Sequence, residues 1–292
     1  MPSGLASNRL VDAHHHLWDL ARPGYAWLRR DGDPGTTAWI GDYAAIRRSY
    51  LIDDYLRDAE GCGLVKSVHV ESGWGSGDSS WESRWLQETA DRHGFPHAIV
   101  ASVDLSAANA EAHLDRHLQW PNVRGVRMIR MGGFSDPAFR RGFAGLAERG
   151  LVYDANLRPE QALELLALAE AFPATTIAVD NLANPATLDI AYLDRWTAAM
   201  RPFAGIPNVL MKVSGLGMAD HDWTIERIRP WVLSALEVFA PERCMFGSNW
   251  PVDGLYSGFA SPANAIRSIV GEFSSDAADQ VFRGTAERCY RI

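Results

Sequence analysis

The sequence predicts an α/β protein, a single (β/α)8 TIM barrel spanning residues 1–292 with a long first βα loop over its mouth. Three observations lead there. Eight short, β-rich apolar runs alternate with helical patterns, the signature of stacked βα units and a parallel sheet. The runs are mostly about 25 to 35 residues apart, the length that a strand, two loops and a helix require, and eight units in 292 residues are enough to close a barrel. No flexible linker, composition break or short repeat interrupts the rhythm, so one domain is expected.

The strands are placed at Leu10–His14, Leu64–Glu71, Ala98–Asp104, Val123–Ile129, Leu151–Asn156, Thr175–Asp180, Val209–Ser214 and Cys244–Ser248. After the first, residues 17–52 are rich in Gly, Pro and Trp and far too long for an ordinary βα loop, so they are expected to fold over the mouth. Ser79 with Glu82 reads as a capping box for the next helix. Asp136-Pro137, Asn184-Pro185 and Ser261-Pro262 each read as a cap followed by proline at the first helical position, and Gly150 as a stop. Pro230 is expected to kink or split the seventh helix.

Composition narrows the function. With 47% hydrophobic and 22% charged residues the chain is globular rather than fibrous or disordered. Lys+Arg 28 against Asp+Glu 36 leaves a net charge of −8, the wrong sign for holding phosphate backbones, so nucleic acid is not an expected partner. The longest apolar runs, such as Gly205–Val213, fall well short of the roughly 20 residues that cross a bilayer, and the N-terminus lacks a signal pattern. A cytoplasmic protein acting on a small molecule, with no membrane partner, is expected; homo-oligomerisation is left open. Cys62, Cys244 and Cys289 are an odd number without a CxxC pair, which suits reduced thiols.

In such a barrel the chemistry sits where strands end and loops begin. Strand one closes on His14-His15-His16. Side chains alternate along a strand, so His14 and His16 share a side and lie within reach of one ion or substrate, while His15 faces away as a structural residue. Strand two ends His69-Val70-Glu71, where Glu71 suits proton transfer if burial raises its pKa; a structural ion pair is the alternative. Arg124 and Arg127 on strand four suit a substrate carboxylate or oxyanion, with Arg127 the better candidate. Asn156 ends strand five. Lys212 and Ser214 share a face of strand seven, where the lysine either polarises a carbonyl or snorkels to solvent. His221, after strand seven, either lines the pocket or is solvated. Trp18, Trp27, Trp39, Trp74, Trp223 and Trp250, among eleven tryptophans, should ring an apolar pocket for a cyclic or aromatic substrate. His93, His97, His113 and His117 are read as structural.

The segments Val11–Asp19, Arg124–Arg127 and Cys244–Asp253 resemble the metal-dependent amidohydrolase superfamily, the amidohydrolase 2 type, in the branch that contains sugar-acid lactonases and pyrone dicarboxylate lactonases. The resemblance covers essentially the whole chain. It implies a site made of the first-strand His-x-His, a His after strand six and an Asp after strand eight, with one divalent metal (zinc or manganese) in some members and none in others. Here His14 and His16 fill the first pair, but Asn181 and Asn249 stand at the other two positions.

An amide is neutral, holds a divalent ion more weakly than a carboxylate and cannot take a proton from water near neutral pH. Low metal affinity or a metal-free site is therefore expected, with Glu71, Asp253, Asp180 or a first-strand histidine as the base, and Asn181 and Asn249 as hydrogen-bond donors to a carbonyl. The leading expectation is a hydrolase opening a lactone or related cyclic ester or amide of a small carboxylate-bearing or aromatic substrate. The alternatives are a metal-independent decarboxylase, dehydratase, cyclase or isomerase, and a catalytically silent ligand-binding homologue.

Overall fold

The computed structural model describes residues 9–29, 34–73 and 78–292. Eight parallel strands follow one another in chain order around a nearly closed barrel: β1 (Leu10–His15), β2 (Leu64–Val70), β3 (Ala98–Ser102), β4 (Val123–Arg127), β5 (Val152–Ala155), β6 (Ile177–Val179), β7 (Val209–Val213) and β8 (Cys244–Phe246). Past the end of β8 the ring is joined back to β1: the Asn249 N–H donates to the His14 carbonyl and the His16 N–H to the Trp250 carbonyl, each at 2.7 Å. The strands are shorter than the apolar runs that predict them: Asp104, Asp180 and Ser248 lie just past the ends of β3, β6 and β8.

Each strand is followed by a helix packed outside the barrel, among them Ile52–Asp58, Ser80–His93, Pro137–Glu148, Ile190–Met200 and Ile225–Phe239. Tyr153 on β5, for example, meets Phe139 and Phe143 of Pro137–Glu148 edge-on at 5.6 and 5.3 Å, a geometry that aromatic pairs favour. The barrel interior is filled by Val11, Ala13, Val68, Val100, Val152, Ala178 and Met245, and the C-terminal helix Thr285–Tyr290 packs against it through Ala286 and Tyr290. No described helix is long and apolar enough to cross a membrane, and all three cysteines are free thiols.

Several local expectations are corrected. Asp136 does cap its helix, accepting the Ala138 N–H at 2.9 Å, and Gly150 takes the left-handed φ of 61° that ends it. Asn184, however, starts no helix: it has φ 44°, its side chain reaches back to Asn156 and Leu157, and the helix begins only at Ile190. The helix near Ser261-Pro262 starts at Ala260, so the proline lies in its first turn and Ser261 is not the cap. Ser79 donates instead to the Ser102 carbonyl at 2.6 Å, and Glu82 accepts from the Tyr25 hydroxyl, so the capping box does not form. Pro230 does not split Ile225–Phe239, which runs through it.

The insertion after β1 does lie over the mouth. Trp18 is wholly buried and donates its indole N–H to the Arg48 carbonyl, while Tyr50 and Trp18 pair through their backbones. Short helical turns at Ala26–Arg29 and Pro34–Ile40 carry Trp27 and Trp39.

Candidate active site

A register shift between Asp12 and His15 turns the end of β1. His15 faces the helix layer, stacked 4.0 Å from Tyr55. His14 and His16 face the other way, with ring centroids 5.0 Å apart and nearly perpendicular. The His16 Nδ1 lies 2.7 Å from the Val70 carbonyl. A carbonyl only accepts, so Nδ1 carries the proton and Nε2 keeps its lone pair. Burial pushes His16 well below its usual range and His14 to about 4, the latter despite Asp180 beside it, so both rings are neutral near pH 7.

Beneath them runs a chain of buried charges that links strands which are not neighbours in the sheet and so crosses the barrel axis. Asp180, at the end of β6, has Oδ1 3.2 Å from His14 Nδ1 and 3.1 Å from Lys212 Nζ, while Oδ2 accepts from Arg127 at 3.1 Å. Lys212 also bonds closely to Asp154, whose other oxygen accepts the Tyr290 hydroxyl at 2.9 Å. Burial alone would raise the Asp180 pKa, but Lys212, His14 and Arg127 hold it well below the usual carboxylate range. Asp154 is pushed up to about 6 by burial, with Lys212 opposing.

Above this floor lies a cavity of about 460 Å³, within the range of small-molecule sites. His16, Glu71, Arg127, Asn156, Asn181 and Asn249 supply its polar wall, and Trp18, Trp27 and Trp39 much of its apolar roof. Asn181 has φ 50° and accepts the Ser214 hydroxyl on Oδ1 at 2.6 Å, leaving its Nδ2 hydrogens to donate. Asn249 has φ 54° and donates Nδ2–H to Asp253 at 2.9 Å, leaving Oδ1 to accept. Gly215 lets Asn181 sit there, since a Cβ on that residue would come within 2.7 Å of the Asn181 side chain. Asp253 is buried, accepts also from the Gly217 N–H, and is pushed by burial up to about 7.

The other sequence candidates divide. Glu71 is a member of an ion pair: Oε1 accepts from Arg127 at 2.8 Å and Oε2 from the Gly73 N–H at 2.8 Å. Arg127 therefore faces the cavity already neutralised by Glu71 and Asp180. Lys212 and His14 lie beneath the cavity wall, and His69 is turned toward the Leu17 carbonyl, 3.2 Å from its Nε2. Trp250 turns outward, donating to Asp58 at 3.0 Å, and His221 lines a neighbouring cleft. Trp74 lies outside the described residues. Asp154 and Arg158 were missed, the first because a buried acid inside a strand carries no sequence signal, the second although it lies only two residues past Asn156.

A family model described as Amidohydrolase matches residues 11–292. The chain belongs to the amidohydrolase family. The protein y4mH of Sinorhizobium fredii, described as uncharacterized, is 38% identical, covering 97% of this chain and 98% of that protein. An L-fucono-1,5-lactonase of Burkholderia ambifaria is 29% identical, covering 97% and 95%. A solved amidohydrolase from Burkholderia multivorans, with bound zinc, superposes with a TM-score of 0.83 at 27% identity, covering 97% and 99%.

In this amidohydrolase the two imidazoles lie side by side with ring centroids 5.0 Å apart, His14 Nδ1 faces Asp180, and His14 Nε2 is buried without a hydrogen-bond partner among the described residues. The remaining donors do not fit a divalent ion. Asn181 and Asn249 are neutral, Glu71 is bound to Arg127, and Asp180 to Arg127 and Lys212. Among the described residues no group of three or more His, Cys, Asp or Glu side chains is arranged to hold a metal, so two imidazoles alone would have to supply the affinity.

Proposed function

We propose that this amidohydrolase hydrolyses a lactone or similar cyclic ester, with His16 as the base. The reading is carried by His16 Nε2, an imidazole lone pair on the cavity wall with its tautomer fixed from behind by Val70, and supported by the lactonase relative that matches nearly the whole chain.

The substrate ring lies under the tryptophans with its carbonyl oxygen toward the Asn181 Nδ2 hydrogens, which polarise it. A water molecule donates one hydrogen to Asn249 Oδ1 and the other to His16 Nε2, and its oxygen bonds to the carbonyl carbon. The ring C–O bond then breaks. The departing alkoxide takes the proton back from the His16 imidazolium, and a hydroxy acid leaves. A depressed pKa suits this cycle, because it keeps the resting imidazole unprotonated and makes the imidazolium a strong acid toward the leaving group.

The test is a pH-indicator assay on a panel of aldonolactones with wild type and His16→Ala. At least about a 100-fold loss of kcat/KM is expected in the variant. Equal rates would remove His16 from the reaction, and a wild type inert toward every lactone would overturn the reading.

A further inference from the structure

Beside the reaction cavity lies a second cleft of about 530 Å³, adjoining it at Trp39 and Met218, which line both. Its walls come from the loops after β5, β6 and β7 and from the insertion after β1. Three features of its lining bear on what it could hold.

First, Arg158, half-buried on the wall, has a guanidinium with no carboxylate or carbonyl partner among the described residues. It differs in this from Arg127, whose charge is answered by Glu71 and Asp180. Of the acids in the cleft, Asp220 pairs with Arg227 at 2.5 Å and Asp222 is exposed.

Second, Asn184 is 5% exposed and its Oδ1, itself buried, has no hydrogen-bond partner among the described residues, although buried amide oxygens normally find one. Its Nδ2 donates to Asn156 Oδ1 at 2.8 Å and to the Leu157 carbonyl at 3.0 Å, which fixes the orientation and joins it to the wall of the reaction cavity. Asn181, Leu182, Ala183 and Asn184 form four consecutive left-handed residues, a costly backbone that places Asn181 in one cavity and Asn184 in the other.

Third, the His221 ring is held flat on Tyr256 at 4.2 Å, over Gly41. A Cβ on Gly41 would meet its Cε1 at 2.7 Å.

We propose that this cleft is a substrate subsite for an arm ending in an anionic group, with Arg158 holding the anion. The assignment deepens the lactone reading: the substrate is a cyclic ester with an acidic tail, and the acid is held by Arg158 rather than Arg127. Carboxylate and phosphate share the chemistry that a guanidinium fork recognises.

The experiment measures both binding and turnover. Isothermal titration compares gluconate, glucarate and 6-phosphogluconate, three open chains that differ at the far end as hydroxyl, carboxylate and phosphate. Turnover compares glucono-1,5-lactone, glucaro-1,4-lactone and 6-phosphoglucono-1,5-lactone. Wild type is expected to favour one or both acidic tails over the hydroxyl at least about tenfold, and whichever tail gains identifies the anion. Arg158→Gln should abolish that preference, Arg158→Lys should keep part of it, and the exposed Arg195→Gln, which removes the same net charge elsewhere, should retain it. The Arg158 substitutions leave its backbone bond to Gln161 in place. No preference in wild type, or one that survives Arg158→Gln, overturns the subsite. Arg158-dependent binding without hydrolysis of any lactone would retain the subsite and overturn the proposed reaction instead.

Discussion

Lys212→Met tests the buried charge chain directly. The lysine is wholly buried, contacts both Asp154 and Asp180, and is itself held above its usual pKa by those carboxylates, which outweigh its burial. Without it Asp180 still has Arg127 at 3.1 Å, but among the described residues Asp154 is left with only the Tyr290 hydroxyl. Breaking a buried pair from one side costs roughly 3–5 kcal/mol, which at about 2 °C per kcal/mol for a chain of this size lowers Tm by about 6–10 °C.

Protonation of Asp154 limits part of that cost. A folded pKa above the unfolded value destabilises at high pH and ceases to do so as pH falls toward the unfolded value. Asp154 already sits at about 6 against an ordinary 3.8, so raising it further matters at pH 7 and hardly at pH 5, where the deficit should shrink by about 1 kcal/mol. Urea unfolding at both pH values measures this. Lys212→Met with Asp154→Asn, which removes one charge of each sign and keeps an acceptor for Tyr290, should recover at least half of the loss. A single variant within about 1 kcal/mol of wild type at pH 7, the range of an exposed pair, would refute the account of the floor.

Asp253→Asn addresses the other perturbed acid. Burial raises Asp253 from 3.8 to about 7, so its ionisation opposes folding progressively between those values. Relative to the variant, wild type should lose roughly 4 kcal/mol between pH 4 and pH 8, and a stability difference that does not change with pH would show that Asp253 titrates normally. Asn249→Asp places a carboxylate next to the imidazole strand and should raise zinc affinity at least about tenfold over wild type in a competition titration with a chelating dye; unchanged affinity would mean that residue 249 does not converge with His14 and His16.

What the sequence determined was whatever depends on period and spacing. Eight apolar runs at βα intervals require a parallel barrel, an i, i+2 pair at a strand end requires His14 and His16 to share a side, and an overlong Trp-rich segment after β1 has nowhere to bury its indoles except over the mouth. Tertiary structure alone decided which charged groups are free. Glu71 and Arg127 both looked like reactive groups, and each cancels the other because β2 and β4 bring them within 2.8 Å; Lys212 and Asp180 are tied together from β7 and β6 in the same way. The left-handed run at residues 181–184, the outward turn of Trp250 and the guanidinium of Arg158, unpaired among the described residues, likewise depend on neighbours far away in the chain. Hydrophobic periodicity is local and survives in the sequence, whereas the partner of a buried charge is set by where the barrel closes.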